Sequence, residues 1–165
     1  MGSNVGDRRV HLSAALSLIS RRATILRLSS VWKTDPVGYT PQPDFWNLVA
    51  EISWSGGARA LLRLCQEVER RVGRTRSFRN GPREIDVDIL DLAGTVRTRP
   101  DPILPHPRLA DRRFALAPLA EIAPRWRHPM TGLSARQLLR RLPAKPAARK
   151  LTVRLRADAA TATVR

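Results

Sequence analysis

A single cysteine, Cys65, stands in a chain of 165 residues. That excludes a disulfide framework and a thiolate-built zinc cluster, and it suits a reducing, cytoplasmic setting. Lysine is nearly as scarce: three of the 30 basic residues are Lys and all the others are Arg. Acidic residues number 14, which leaves a formal net charge of +16. No apolar run approaches membrane-spanning length, and the opening MGSNVGDRR lacks the apolar centre of a signal peptide. The expectation is a protein neither secreted nor embedded in a membrane.

Such an excess of positive charge suggests nucleic acid as a partner, but its distribution argues otherwise. Residues 1–124 carry a net +6, whereas residues 125–165 carry +10 with one acidic residue among them. A folded site for an anionic ligand followed by a basic tail accounts for that asymmetry better than a duplex-binding stripe. The length fits one domain with a real core.

Periodicity predicts a helix over 6–22, capped by Asp7, with Leu12, Ala15, Leu16 and Ile19 facing inward. Residues 24–34 read as a strand, 35–44 as a Pro- and Gly-rich loop, and 45–54 as a second, cleanly alternating strand. The clearest helix is 58–72, where Leu61, Cys65, Val68 and Val72 form one stripe. A basic loop (73–83) leads into a third strand, 84–91, and a short strand fits near Val96. Helices follow over 114–124, interrupted or kinked near Pro118, and over 134–142. From Pro143 onward the composition predicts a disordered basic tail, which sets the domain at 1–142 and the tail at 143–165.

The chemistry concentrates in GPREIDVDILD, residues 81–91. Side chains alternate along a strand, so Asp86 and Asp88 share a face while Ile85, Val87 and Ile89 take the other. Two neighbouring carboxylates repel unless a cation joins them or one keeps its proton. Arg74, Arg76, Arg79 and Arg83 crowd the preceding loop, and guanidinium groups bind phosphate oxygens in pairs. Mg²⁺ favours one or two carboxylates together with phosphate oxygens and water. The combination describes a site for a nucleoside triphosphate without a P-loop. His106, between two prolines, and Arg108, Arg112 and Arg113 extend the same theme, although a turn histidine bonding its own backbone explains His106 equally well.

These pieces together resemble one family. GSNVGDR (2–8), SSVWKTDPVG (29–38), DFWNLV (44–49), GRTRSFRNGPREIDVDIL (73–90) and LPHPRLADRRFALAPLAEIAP (104–124) are similar, in order and spacing, to 6-hydroxymethyl-7,8-dihydropterin pyrophosphokinases of folate biosynthesis. The resemblance spans residues 2–142. It implies a ferredoxin-like α/β sandwich, an antiparallel sheet with helices packed on it, that moves the β,γ-diphosphate of ATP to the pterin hydroxymethyl group and releases AMP. It further implies two Mg²⁺ ions on Asp86 and Asp88, with Arg74 and Arg83 as catalytic phosphate-binding arginines and Arg76 as their loop neighbour. By the same resemblance His106 and Arg112 meet the ATP phosphates, and Gln66, Glu69 and Ile89 lie on the nucleotide side. Thr34, Val37 and Asn47 would bond the pterin, and Phe45 and Phe114 would stack on it.

Two departures stand out. The family's apolar first strand would precede Gly2, where this sequence has only Met1; the expectation is a natural chain longer by about 5–6 residues, a typical strand. Asn80 occupies a position where many members carry a tryptophan. The competing expectations are an inactive homologue lacking that strand, and a basic ferredoxin-like RNA-binding protein, against which the two aspartates count because they would repel phosphate. Other folate-pathway enzymes are the expected protein partners.

Overall fold

Helices form where apolar residues recur at helical spacing, sharply in the second and weakly in the first. In the computed structural model, which describes residues 1–75, 78, 80–99, 101–153 and 155, α1 runs Arg8–Ser20 and α2 runs Ala58–Val72. The Asp7 carboxylate caps α1 by accepting from the Arg9 and Val10 N–H groups at 3.0 and 3.1 Å. At the far end of α2 the chain turns at Gly73, whose φ of 98° a side chain would resist. Both helices lay their apolar stripes on one sheet face, in a core of Leu12, Leu16, Leu61, Val68, Val31 and Leu48.

The two long strands expected over 24–34 and 45–54 are each broken. The first becomes β2 (Thr24–Leu28) and β3 (Trp32–Thr34); the second becomes β4 (Phe45–Asn47) and β5 (Ala50–Ser53). β2 pairs antiparallel with β5, and β3 with β4. Between them the Val49 N–H donates to the Ser29 side-chain hydroxyl at 2.9 Å, while Ser29 N–H donates to the Val49 carbonyl. A side chain thus replaces one backbone acceptor, and the ladder bends there. Leu48 points to the α1–α2 core and Val49 to a second core on the opposite face. That second core is built with α3 (Arg113–Ile122) and α4 (Ala135–Arg141). Pro118 lies inside α3, which continues through it, so the expected interruption does not occur.

β1 is short, Gly2–Ser3, and pairs antiparallel with β4. The expected strand over 84–91 makes one rung of ladder, where Gly2 and Asp86 exchange backbone hydrogen bonds of 2.9 and 2.8 Å. Its alternation survives without a ladder, because Ile85 and Val87 are buried while Asp86 and Asp88 look outward. Near Val96 the expected strand reduces to a single bridge between Arg97 and Leu104.

The stretch after Pro143 corrects the expectation of disorder for its described part. Residues Ala148–Lys150 form β6, an edge strand antiparallel to β3, and the sheet order becomes β1-β4-β3-β6. Leu151 N–H donates to the Val31 carbonyl at 2.8 Å, and Leu155 is buried in the α1–α2 core. Residues 156–165 lie outside the described residues. Among the described residues no helix is long and apolar enough to cross a membrane.

Candidate active site

The end of α2 and the segment after it build one side of the site. Glu69, in the last turn of α2, accepts the Val87 N–H at 2.8 Å, which fixes the backbone between Asp86 and Asp88. The same carboxylate oxygen accepts from Arg74, and Arg74 also donates to Asp86 Oδ1 at 2.8 Å. Arg83 donates to Asp86 Oδ2 at 2.9 Å. Each oxygen of Asp86 therefore faces its own guanidinium, and Asp88 accepts from Arg112 at 3.1 Å. The two acids are accessible, with side chains 27% and 40% exposed. Burial pushes the Glu69 carboxyl up from its ordinary value, opposed by the Val87 bond and by the charge of Arg74.

A cavity of about 290 Å³ opens beside this cluster. Thr34, Val37, Phe45, Asn47 and Phe114, the five residues expected to hold a flat heterocycle, all line it. Arg83, Asp86 and Arg112 reach the same cavity from the charged side. At its floor the Asn47 amide donates to the Thr34 hydroxyl at 2.7 Å, and both residues are buried. Gly2 backs directly onto Asn47, leaving no room for a Cβ. The Arg83 guanidinium lies 5.7 Å from the centre of the Phe45 ring, and that of Arg112 lies 5.4 Å from the Phe114 ring. Each ring thus joins an apolar slot to a cation.

The remaining expected residues fall around this centre or apart from it. His106 N–H donates to the Leu90 carbonyl at 2.8 Å, and its Nδ1 accepts from Arg108 N–H at 3.1 Å. An accepting Nδ1 leaves the ring proton on Nε2. Burial, reinforced by the charge of Arg112, lowers the His106 pKa below its ordinary value. Ile89 packs against the α1–α2 core. Gln66 is exposed on α2 and makes no side-chain hydrogen bond among the described residues. Arg76 and Arg79 lie outside the described residues.

Asn4, in the GSN stretch, supports the site from behind the cavity lining and was not among the expected residues; nor were Asp35, Asp111 and Pro146, which do line the cavity. Asn4 is 2% exposed, so its amide must find partners within the protein. Its Oδ1 accepts the Arg83 N–H at 2.8 Å, and its Nδ2 donates to Gln42 Oε1 and the Pro43 carbonyl at 2.9 and 3.0 Å. One buried amide thus ties the 35–44 loop to the arginine loop. Gln42 adds a second tie by donating to the Asn80 carbonyl at 2.9 Å, and the Tyr39 and Phe78 rings meet edge to face at 5.0 Å. Asn80 sits at φ 61°, a left-handed conformation that asparagine tolerates far better than large side chains do.

The chain matches the family model "7,8-dihydro-6-hydroxymethylpterin-pyrophosphokinase" over residues 1–124. It is 45% identical over 124 residues to a 2-amino-4-hydroxy-6-hydroxymethyldihydropteridine pyrophosphokinase of Bacillus subtilis, covering 74% of each chain. A protein of the same name from Porphyromonas gingivalis is 37% identical over 134 residues, 78% of this chain and 90% of that one. The folic acid synthesis protein FOL1 of Dictyostelium discoideum is 32% identical over 142 residues, 86% of this chain but 22% of the longer protein.

Proposed function

The chain belongs to the 7,8-dihydro-6-hydroxymethylpterin-pyrophosphokinase family, and from that premise we propose how its own residues divide the work. The reaction is transfer of diphosphate from ATP to the hydroxymethyl group of 6-hydroxymethyl-7,8-dihydropterin, with release of AMP, in folate synthesis. The observation that carries the division is the meeting of two surfaces at Arg83, Asp86 and Arg112: all three line the cavity that holds Phe45 and Phe114, and all three belong to the ion-pair cluster.

In this reading the pterin lies in the cavity, with its polar edge on Thr34 and Asn47 and its faces against Phe45 and Phe114. Val37 closes the loop side. The triphosphate lies over Arg74, Arg83, Arg112 and His106, with the nucleoside towards Ile89, Glu69 and Gln66, and Arg76 is assigned to the same loop function. The carboxylates fit magnesium: they are two, accessible and on one side, and no group of three or more metal-binding side chains occurs among the described residues. Two acids alone suit ions that arrive with phosphate oxygens and keep water. Bound there, Mg²⁺ would neutralise phosphate charge and acidify the substrate hydroxyl.

The residues of the chain then act by charge and position. Arg74 and Arg83 both pair with Asp86. Both guanidiniums also lie where they would meet the phosphates, and there they would offset charge as AMP departs. Asn4 holds the Arg83 backbone in place. A cytoplasmic setting, with other folate-synthesis enzymes as neighbours, suits this activity. The RNA-binding alternative loses ground because Asp86 and Asp88 stand at the centre of the basic cluster.

The test is Asp88→Asn, which keeps the shape and removes the charge. Turnover should fall at least about a hundredfold, and raising Mg²⁺ should recover part of it, while the Tm stays near that of the parent. Undiminished turnover at low Mg²⁺ would remove Asp88 from the metal site.

A further inference from the structure

A second cavity, of about 640 Å³, lies between the 124–127 segment and α4 and shares no lining residue with the substrate cavity. Four arginines line it: Arg125, Arg127, Arg136 and Arg140. Their placement follows from the backbone. Arg125 lies in the turn closed by Trp126 N–H on the Ala123 carbonyl, Arg127 bridges to Ser134 just after it, and 136 and 140 are four apart on one helix face. The walls are well held: Ala135 N–H donates to the Trp126 carbonyl at 2.9 Å, and Ser134 and Gln137 form a reciprocal cap. Arg127 is itself braced by the Gly132 carbonyl at 2.8 Å.

No carboxylate lines this cavity, and none of the four arginines forms an ion pair among the described residues. The contrast with Arg74, Arg83 and Arg112, each satisfied by an acid, is direct. Four like charges around one space repel, and an anion between them relieves the repulsion. We propose that this cavity is a binding site for a compact, phosphate-rich anion of the diphosphate or triphosphate type. Guanidinium groups on two walls supply paired donors to several phosphate oxygens at once. The volume lies within the usual range for small-molecule sites. Among the described residues no aromatic ring lines the space, where single-stranded nucleic acid would use a stacking platform.

Titration of the full chain with inorganic triphosphate, in chelator and at moderate salt, tests this by calorimetry. Two binding events are expected, one at each cavity. Arg136→Gln with Arg140→Gln should weaken one event by about tenfold or more and leave turnover at the parent rate. Arg83→Ala should weaken the other. Arg21→Gln with Arg22→Gln, an equal charge loss at exposed positions beyond α1, should leave both intact. The proposal is overturned by a single event that Arg83→Ala abolishes, or by equal losses in the two double variants, which would reduce the effect to net charge. It is also overturned if a single-stranded oligonucleotide displaces triphosphate from this cavity at lower concentration than triphosphate itself requires.

Discussion

Asp86 illustrates how much one residue is asked to do. Its backbone makes the one rung that joins its segment to β1, and its two oxygens hold Arg74 and Arg83. The family resemblance alone named the five residues expected to meet the pterin, and the fold brings all five to the lining of one cavity. Asn4 was not legible, since its role depends on partners 38 to 79 residues away that no local pattern announces. Gly2 gives the sharpest prediction at this scale. A methyl group there would strike the Asn47 side-chain oxygen, so Asn47 must turn away from Thr34 and into the cavity. Gly2→Ala should raise the pterin KM by about tenfold, the value of one hydrogen bond, with the ATP KM little changed. Steady-state kinetics with each substrate varied in turn decides it, and an unchanged pterin KM would mean that Asn47 does not hold the pterin.

Among the elements, the helices were readable because their signal is local: a stripe, a cap and a glycine stop fall within one stretch of chain. The strands were less so. The bend between β2 and β3 comes from Ser29 bonding Val49 across the sheet, and β6 reads in sequence as a polar, basic run. What makes β6 a strand is its pairing with β3 and the burial of Leu155 beyond it. Two predictions belong here. Ile85 is fully buried and anchors the segment that carries both acids. Ile85→Ala should cost about 2–5 kcal/mol in urea unfolding, and a loss below 1 kcal/mol would deny it that anchoring role. Glu121 of α3 accepts from Ser30, Trp32 and Lys150, joining α3 to β3 and β6. Burial pushes its carboxyl up, but those hydrogen bonds together outweigh burial and hold it below the ordinary 4.5. A carboxylate lowered by folding stabilises the fold above pH 4.5 and loses that contribution as pH falls through the lowered value. Glu121→Gln should therefore lower the Tm at pH 7, with the gap to the parent closing below pH 4.5. A gap that persists into acid would contradict the assignment.

At the scale of the whole molecule, the sheet separates two cores and sets the site at one edge, where β1, β4 and the aspartate segment meet the ends of α2 and α3. The positive charge divides in the same way. In the first 124 residues several arginines face acids, whereas four arginines of the later segment line one cavity with no ion-pair partner among the described residues. The sequence showed this asymmetry as a count, and folding turned it into two different surfaces. Which phosphorus is attacked tests the account most directly. The purified 165-residue chain given Mg²⁺, ATP and 6-hydroxymethyl-7,8-dihydropterin should release AMP and diphosphorylated pterin in equal amounts, by chromatography of both products. Formation of ADP with a monophosphorylated pterin, or AMP release indifferent to the pterin, would contradict it.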